Sequence, residues 1–367
     1  MKILEITNVD FSLRQFVLPL MRGLRERGHE VVGVCADGPH LAAVRGEGFR
    51  VVAVPMARSA SPLAQLRAFR ALLALLRAER PDLVHAHMPI SGFLARLAGV
   101  PRIAYTCHGF LFNQPGPWPR RAASLAMEWL GGRLTDVYLT VSTAEAEDAR
   151  RLAISRRAVP VGNGRAPARF HPDPEARARL RRAMNVPERR VVVAIVSRLV
   201  RHKGHPELIA AMRQVIDTGA NAELWVIGER LPSDHGEDLE PVFAASGLGP
   251  RLRRLGYRED VAALLAAADI FALPSHFEGL PMSVIEAMLT GLPVVATDVR
   301  GPREQVVDRQ TGLLVPPAET KPLALALHLL VADAPLRARM GEAGRTRALE
   351  LYDEARVVAR TLDLLGA

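Results

Sequence analysis

The chain holds two cysteines in 367 residues, Cys35 and Cys107, each alone near the end of an apolar run. Two scattered cysteines make neither a disulfide framework nor a thiolate metal site, and they fit a reducing cytoplasm. Long apolar runs are missing too. Stretches such as VAALLAAAD (Val261–Asp269) are far too short to span a bilayer, and the opening MKILEIT reads as a strand rather than a signal peptide. No Asp-x-Asp occurs anywhere, so a metal held by that motif is not indicated and no cofactor is expected. Lysine is nearly absent: Lys2, Lys203 and Lys321 are the whole complement. There is no recognisable nucleic-acid module and no interleaving of aromatic with basic residues of the kind such modules use, so nucleic acid is not expected as a partner.

What is present suits a chain of two domains. A chain of 367 residues exceeds the ~250–300 at which single cores stop growing. With 49% hydrophobic and 24% charged residues, its composition is that of an ordinary globular protein. Charge is distributed unevenly. Residues 1–170 hold 23 Lys+Arg against 13 Asp+Glu, a net +10, and the remainder holds 25 against 26, so the whole excess of +9 lies in the first half. An anionic membrane surface would reward such an excess at about 1 kcal/mol per basic residue near it. The competing explanation is that abundant arginine reflects the base composition of the gene.

The first half alternates strand patterns (KILEIT, VVGVCA, FRVVAVP, DLVHAH, PRIAYTC, DVYLTVS, AVPVGN) with helical stretches such as Leu13–Arg27 and Leu63–Arg80. That alternation implies βαβ units and a parallel α/β sheet, whose ligands sit beyond the carboxyl ends of the strands. Polar residues gather there: Thr7 to Phe11, His85, His87, His108, Gly109, Ser142 and Asn163. His85 and His87 are expected to point to opposite faces of their strand, leaving no shared face for zinc. The segment Gly109–Arg133 mixes Phe110, Phe112, Trp118 and Trp129 with Arg120, Arg121 and Arg133, which suits either an interfacial helix at a membrane or an ordinary core helix with a loop. GNGRAPARFHPDP (162–174) reads as a linker between domains, after which a second alternating series begins with RRVVVAIVSRL and AELWVIG.

The densest chemistry lies in PSHFEGLPMSVIEAM (Pro274–Met288). DIFALP reads as a buried strand, Pro281 suits the first turn of a helix, and Gly291 ends that helix. Gly279 lets a ligand approach the backbone, and the free amides of the first turn suit phosphate. Glu286 leans back toward that mouth and Glu278 stands in the loop before it, so the two carboxylates can accept hydrogen bonds from two sugars flanking a phosphate. Alone, either would read as a solvated glutamate. The helix around Glu286 is apolar almost all round, however, so the residue should be buried and needs a partner.

FEGLPMSVIEAM followed by GLPVVATDVRGPREQVVDRQTGLLVPP resembles the E-x7-E region of retaining glycosyltransferases of family 4, and the likeness runs over nearly the whole chain, closest to capsule and lipopolysaccharide sugar transferases. The resemblance implies the GT-B fold: two Rossmann-like, doubly wound domains with parallel sheets facing across a cleft. Residues 1–165 would form the acceptor- and membrane-facing domain, 166–350 the nucleotide-sugar domain, and 351–367 a helix returning to the first. By resemblance, His108 contacts the donor sugar, and Arg198 and Lys203 hold the donor diphosphate and stabilise the leaving group. Tyr257 and Arg258 lie by the nucleotide base, Glu278 with Gly279, Leu280 and Pro281 meets the sugar and phosphate, and Glu286 takes the ribose. Relatives often carry a glycine-rich loop after the first strand, whereas here it is TNVDFSLRQF, with Arg14 as either a substitute or a surface charge. Many continue the AELWVIG strand with a second glycine, whereas this chain has Glu229 and Arg230 and a polar insertion to about Glu240. The implied activity transfers a sugar from a UDP-sugar to a polyprenyl-diphosphate-linked acceptor, in the cytoplasm at the inner membrane face. A transferase with a soluble acceptor, a UDP-sugar 2-epimerase of the same fold and a non-catalytic sugar-nucleotide-binding protein are the alternatives.

Overall fold

The computed structural model describes residues 1–56, 61–231, 234 and 236–367. Part of the polar insertion (232, 233 and 235) therefore lies outside the described residues. The chain divides into two units, Met1–Gly162 with Ala355–Ala367, and Asn163–Glu354. Counted over these units, the first holds 23 Lys+Arg against 14 Asp+Glu and the second 25 against 25, so the whole net charge belongs to the first.

In the first unit seven strands pair in parallel: β1 (Lys2–Ile6), β2 (Glu30–Cys35), β3 (Arg50–Ala53), β4 (Leu83–His87), β5 (Ile103–Cys107), β6 (Val137–Thr140) and β7 (Val159–Pro160), in the order β3-β2-β1-β4-β5-β6-β7. Alternation along β1 divides the core. Ile3 packs with Leu13, Met21 and Leu24 on one face of the sheet, and Leu4 and Ile6 pack with Leu72, Val84 and Ala86 on the other. The helix Glu354–Leu365, from the far end of the chain, adds Leu362 and Leu365 to the Ile3 face.

The second unit repeats the scheme with β8 (Val191–Val196), β9 (Ala222–Ile227), β10 (Leu252–Gly256), β11 (Ile270–Leu273), β12 (Val294–Thr297) and β13 (Gly312–Val315), all parallel, in the order β10-β9-β8-β11-β12-β13. Central strands such as VVVAIV are apolar throughout because helices cover both faces. The strand β10 has no such pattern. Its LRRLG lies at the sheet edge, half-exposed, with a register shift between Arg254 and Gly256, which is why no apolar run announces it. In each unit the order reverses direction once, between β1 and β4 and between β8 and β11, and a crevice opens at such a switch point beyond the carboxyl ends of the strands.

Candidate active site

In the second unit the switch point brings two loops together. After β8 the chain makes one tight turn, Arg201–Lys203, and starts a helix at His205; after β11 it runs through Ser275–Leu280 to the helix Met282–Leu289. Gly204, at φ 76°, joins them: a Cβ there would stand 2.0 Å from the Pro274 carbonyl oxygen. The His276 amide donates to the His202 carbonyl at 2.8 Å, and the His202 ring stacks on Phe277 with centroids 4.5 Å apart. Burial, reinforced by the charge of Lys203, lowers His202 to about 4, so the stacked ring is neutral at pH 7.

On this frame Lys203 Nζ lies 2.6 Å from Glu278 Oε1, and Ser275 Oγ donates to the same oxygen at 2.7 Å. Both charges are largely buried, at 16% and 9% side-chain exposure. Arg198, at the end of β8, is ion-paired with Asp234, and its carbonyl accepts from His205 Nε2 at 3.0 Å. A phosphate reaches these cations only by competing with the two carboxylates already on them.

The loop before the helix is held from several sides. The Asn163 amide donates to the Leu280 carbonyl at 2.7 Å and the Gln305 amide to the Pro281 carbonyl at 2.9 Å. Gly301 packs so closely that a Cβ would meet the Gly279 carbonyl oxygen at 2.1 Å. Pro281 is the N-cap, one position before the first turn where its sequence context places it, and leaves the amides of Met282, Ser283 and Val284 at the helix start. Glu286 is buried as its apolar helix requires, and its partner is Arg165, whose Nε lies 2.7 Å from Oε1. Arg165 sits in the stretch read as linker; the signal for it is the buried glutamate's need of a cation. Asp234, inside the polar insertion, was likewise not legible as the partner of Arg198. Tyr257 is exposed beyond β10, and Arg258 beside it forms a two-bond fork with Asp260 at 2.7 and 2.6 Å.

The first unit's switch point carries a second constellation. Glu5 on β1 stands opposite His85 on β4 in the sheet register, and both are fully buried. The expectation that His85 and His87 diverge is wrong: residues two apart on a strand share a face, and the two rings lie 4.1 Å apart. His85 Nδ1 is 3.0 Å from Glu5 Oε1 and His87 Nε2 is 2.8 Å from Oε2. His85 Nε2 contacts Thr106 Oγ1 at 2.8 Å, and His87 Nδ1 reaches His108 Nε2 at 3.1 Å. Ligand atoms of Glu5, His85 and His87 thus lie within 4.8 Å of one another, a set chemically able to hold a divalent ion. Burial opposes ionisation of Glu5, but the two histidines outweigh it and hold the carboxyl at about 2. Burial, then the neighbouring His85, lowers His87 to about 4, and burial pushes His108 well below the usual imidazole range.

The glycine-free loop after β1 is filled by an anion of its own. Asp10 accepts from the Phe11 amide at 2.8 Å and the His40 amide at 2.9 Å, the kind of donors a phosphate would take. Arg14 contacts His40 Nδ1 at 3.4 Å.

Phe110 and Phe112 do not form a membrane-facing pair. They stack on each other at 4.6 Å inside a core cluster, because both side chains turn beneath the helix Trp118–Arg133. That helix is anchored by buried Glu128, which accepts from Arg96 and from the hydroxyls of Tyr105 and Tyr138. Its outer side leaves Trp118, Arg120, Trp129 and Leu130 exposed, while Arg121 donates to the Phe112 carbonyl at 2.8 Å. No helix among the described residues is long and apolar enough to cross a membrane.

Comparison with known proteins agrees with this architecture. Residues 13–164 match the family model described as glycosyl transferase 4-like domain, and residues 176–347 the model described as glycosyl transferases group 1. The GDP-mannose-dependent alpha-(1-6)-phosphatidylinositol monomannoside mannosyltransferase of Mycolicibacterium smegmatis is 31% identical over 296 residues, 77% of this chain and 74% of that protein. The N,N'-diacetylbacillosaminyl-diphospho-undecaprenol alpha-1,3-N-acetylgalactosaminyltransferase of Campylobacter jejuni is 26% identical over 383 residues, 99% of this chain and 98% of that one. Among solved structures, Anabaena HepE in complex with UDP and glucose superposes with a TM-score of 0.86 over the whole of both chains at 22% identity. The chain belongs to the group 1, family 4-like glycosyltransferases and has their GT-B fold.

Proposed function

We propose that this glycosyltransferase moves a hexosyl or N-acetylhexosaminyl group, with retention of anomeric configuration, from a UDP-sugar to a polyprenyl-diphosphate-linked sugar in cell-surface polysaccharide assembly. The observation that carries the reading is the meeting of Lys203 and Glu278 at the switch point of the second sheet, beside the start of the helix that buries Glu286. Cations and helix amides there offset charge on a leaving nucleoside diphosphate, which is where a transferase without a metal must supply stabilisation. Glu278 accepts hydrogen bonds from the transferred sugar and Glu286 from the ribose. The leaving phosphate takes the acceptor hydroxyl's proton on the face it departs from, which retains configuration. Support for the lipid-linked acceptor comes from the relatives, one named for an undecaprenol-linked acceptor and another for a phosphatidylinositol mannoside. UDP as the carrier is supported by the resemblance, and its rival is GDP, named for one relative's donor.

Calorimetric titration without added metal tests the donor. Selective binding of UDP over GDP and ADP is expected; preference for GDP would reassign the carrier, and no binding of any of the three would remove the site assignment.

Association with the inner membrane face is part of the same reading. It rests on the first unit's charge, +9 against zero for the second, and on Trp118, 77% exposed, which lies with Trp129 on one side of their helix. Co-sedimentation with anionic vesicles should fall as salt rises through the range where the Debye length shortens from about 10 to 3 Å, and fall further in Trp118→Ala. Binding indifferent to both would leave the charge asymmetry without a membrane role.

A further inference from the structure

We infer that Glu5 and His87 are positioning residues that fix the tautomer of His108, so that His108 presents Nδ1 as a hydrogen-bond acceptor to a substrate hydroxyl. The inference builds on the transferase reading, but its first part rests on hydrogen-bond geometry alone.

An ionised carboxylate only accepts hydrogen bonds, so both rings that touch Glu5 must donate to it. His87 therefore carries its proton on Nε2. With its proton on Nε2 facing the carboxylate, the neutral ring keeps Nδ1 as a lone pair. The 3.1 Å approach of His108 Nε2 to that lone pair then requires the proton to sit on His108 Nε2. With its proton held there, the neutral His108 ring presents Nδ1 as an acceptor. No described residue hydrogen-bonds to that nitrogen, and His108 is only half-buried, its ring tilted against Phe16 and His87. The chain of hydrogen bonds thus starts at a buried anion and ends at an acceptor that no described residue occupies. The logic is that of a catalytic triad, in which a buried acid selects the useful tautomer of a histidine, with one further ring inserted. The position agrees: Glu5 and His87 straddle the reversal between β1 and β4, and His108 follows the next strand. His85 has a separate part, tying Glu5 to Thr106 without touching His108.

The experiment is nitrogen-15 NMR of histidine-labelled full-length protein. His108 is expected as a single Nε2–H tautomer with through-hydrogen-bond coupling to His87 Nδ1. In Glu5→Gln the side chain keeps one acceptor and gains a donor, so both rings can no longer donate to it, and the tautomers of His87 and His108 should become mixed or inverted. In His85→Asn the His108 tautomer should be unchanged, which separates the relay from general disturbance of the core. Turnover of Glu5→Gln should drop by about ten- to a hundredfold in kcat with KM little altered, the scale on which groups that orient a functional histidine act. An Nδ1–H tautomer in the unaltered protein, or a His108 spectrum insensitive to Glu5→Gln, would overturn the relay. Zinc shifting the His85 and His87 nitrogens to metal-bound values would overturn it in favour of a metal site. Tautomers that change while turnover stays intact would overturn the role in transfer. Absence of glycosyl transfer by the unaltered protein on lipid-linked acceptors would refute the function reading and leave the tautomer result standing.

Discussion

Lys203→Ala is expected to lower glycosyl transfer by about 10²–10³ in kcat, the usual loss on removing one preorganised group that stabilises developing charge. Two effects are combined in that substitution. The leaving diphosphate loses a cation, and Glu278, at 9% exposure, keeps only Ser275 as a partner for the oxygen that Lys203 now contacts at 2.6 Å. Stranding a buried charge destabilises a fold by about 3–5 kcal/mol where the pair is fully enclosed, and by less at this depth. The pair Lys203→Ala with Glu278→Gln separates the two. Melting temperature should recover in the double variant because no charge is stranded, whereas turnover and UDP affinity should not. A double variant that transfers sugar normally would make the pair structural and remove both residues from the chemistry.

Arg165→Ala should be among the most destabilising single changes in the second unit outside its apolar core, by somewhat less than the ~3–5 kcal/mol of a fully enclosed pair, because it leaves Glu286 buried in an apolar helix without its cation. The backbone bonds of Arg165, accepting from the Glu354 amide and donating to the Tyr352 carbonyl, survive the substitution, so the loss reads the side chain alone. A chain of two units need not unfold in one step, and the measurement should follow the second unit specifically. Trp225 allows this: it is fully buried there, while the other two tryptophans, Trp118 and Trp129, are exposed in the first unit. Denaturant titration of its blue emission should shift markedly in Arg165→Ala and largely recover when Glu286→Gln is added. An unshifted midpoint would show that Glu286 is stabilised by water or by helix amides instead.

Strands were legible in the sequence where both faces are buried, as in VVVAIV or IAYTC, because burial on two sides forces an apolar run. The strand β10 was not, since an edge strand carrying Arg253 and Arg254 has no such requirement. The burial of Glu286 followed from its neighbours, but the identity of its cation did not, because Arg165 lies 121 residues away and only the fold brings it near. The same distance hides Glu5: within KILEIT nothing distinguishes a solvated glutamate from one held by a strand 80 residues later. The pairing of His85 with His87 was open to view, since a spacing of two on a strand means one face. Phe110 and Phe112 show the converse, aromatic residues near arginines whose stacking in the core is decided by packing and not by composition.

The crossings of the chain between its units carry a consequence for synthesis. Residues 1–162 are made before the second unit, yet Leu362 and Leu365, which complete the core around Ile3, Met21 and Leu24, are made after it. The return point is fastened inside the second unit, where Arg165 pairs with Asp353 just before the chain leaves for the final helix. The core on that face of the first sheet is therefore closed only after the second unit has been translated, and until then the Gly23 surface, which Val358 and Leu362 cover in the finished fold, stands open. The first unit's core thus closes only once the second unit has been made.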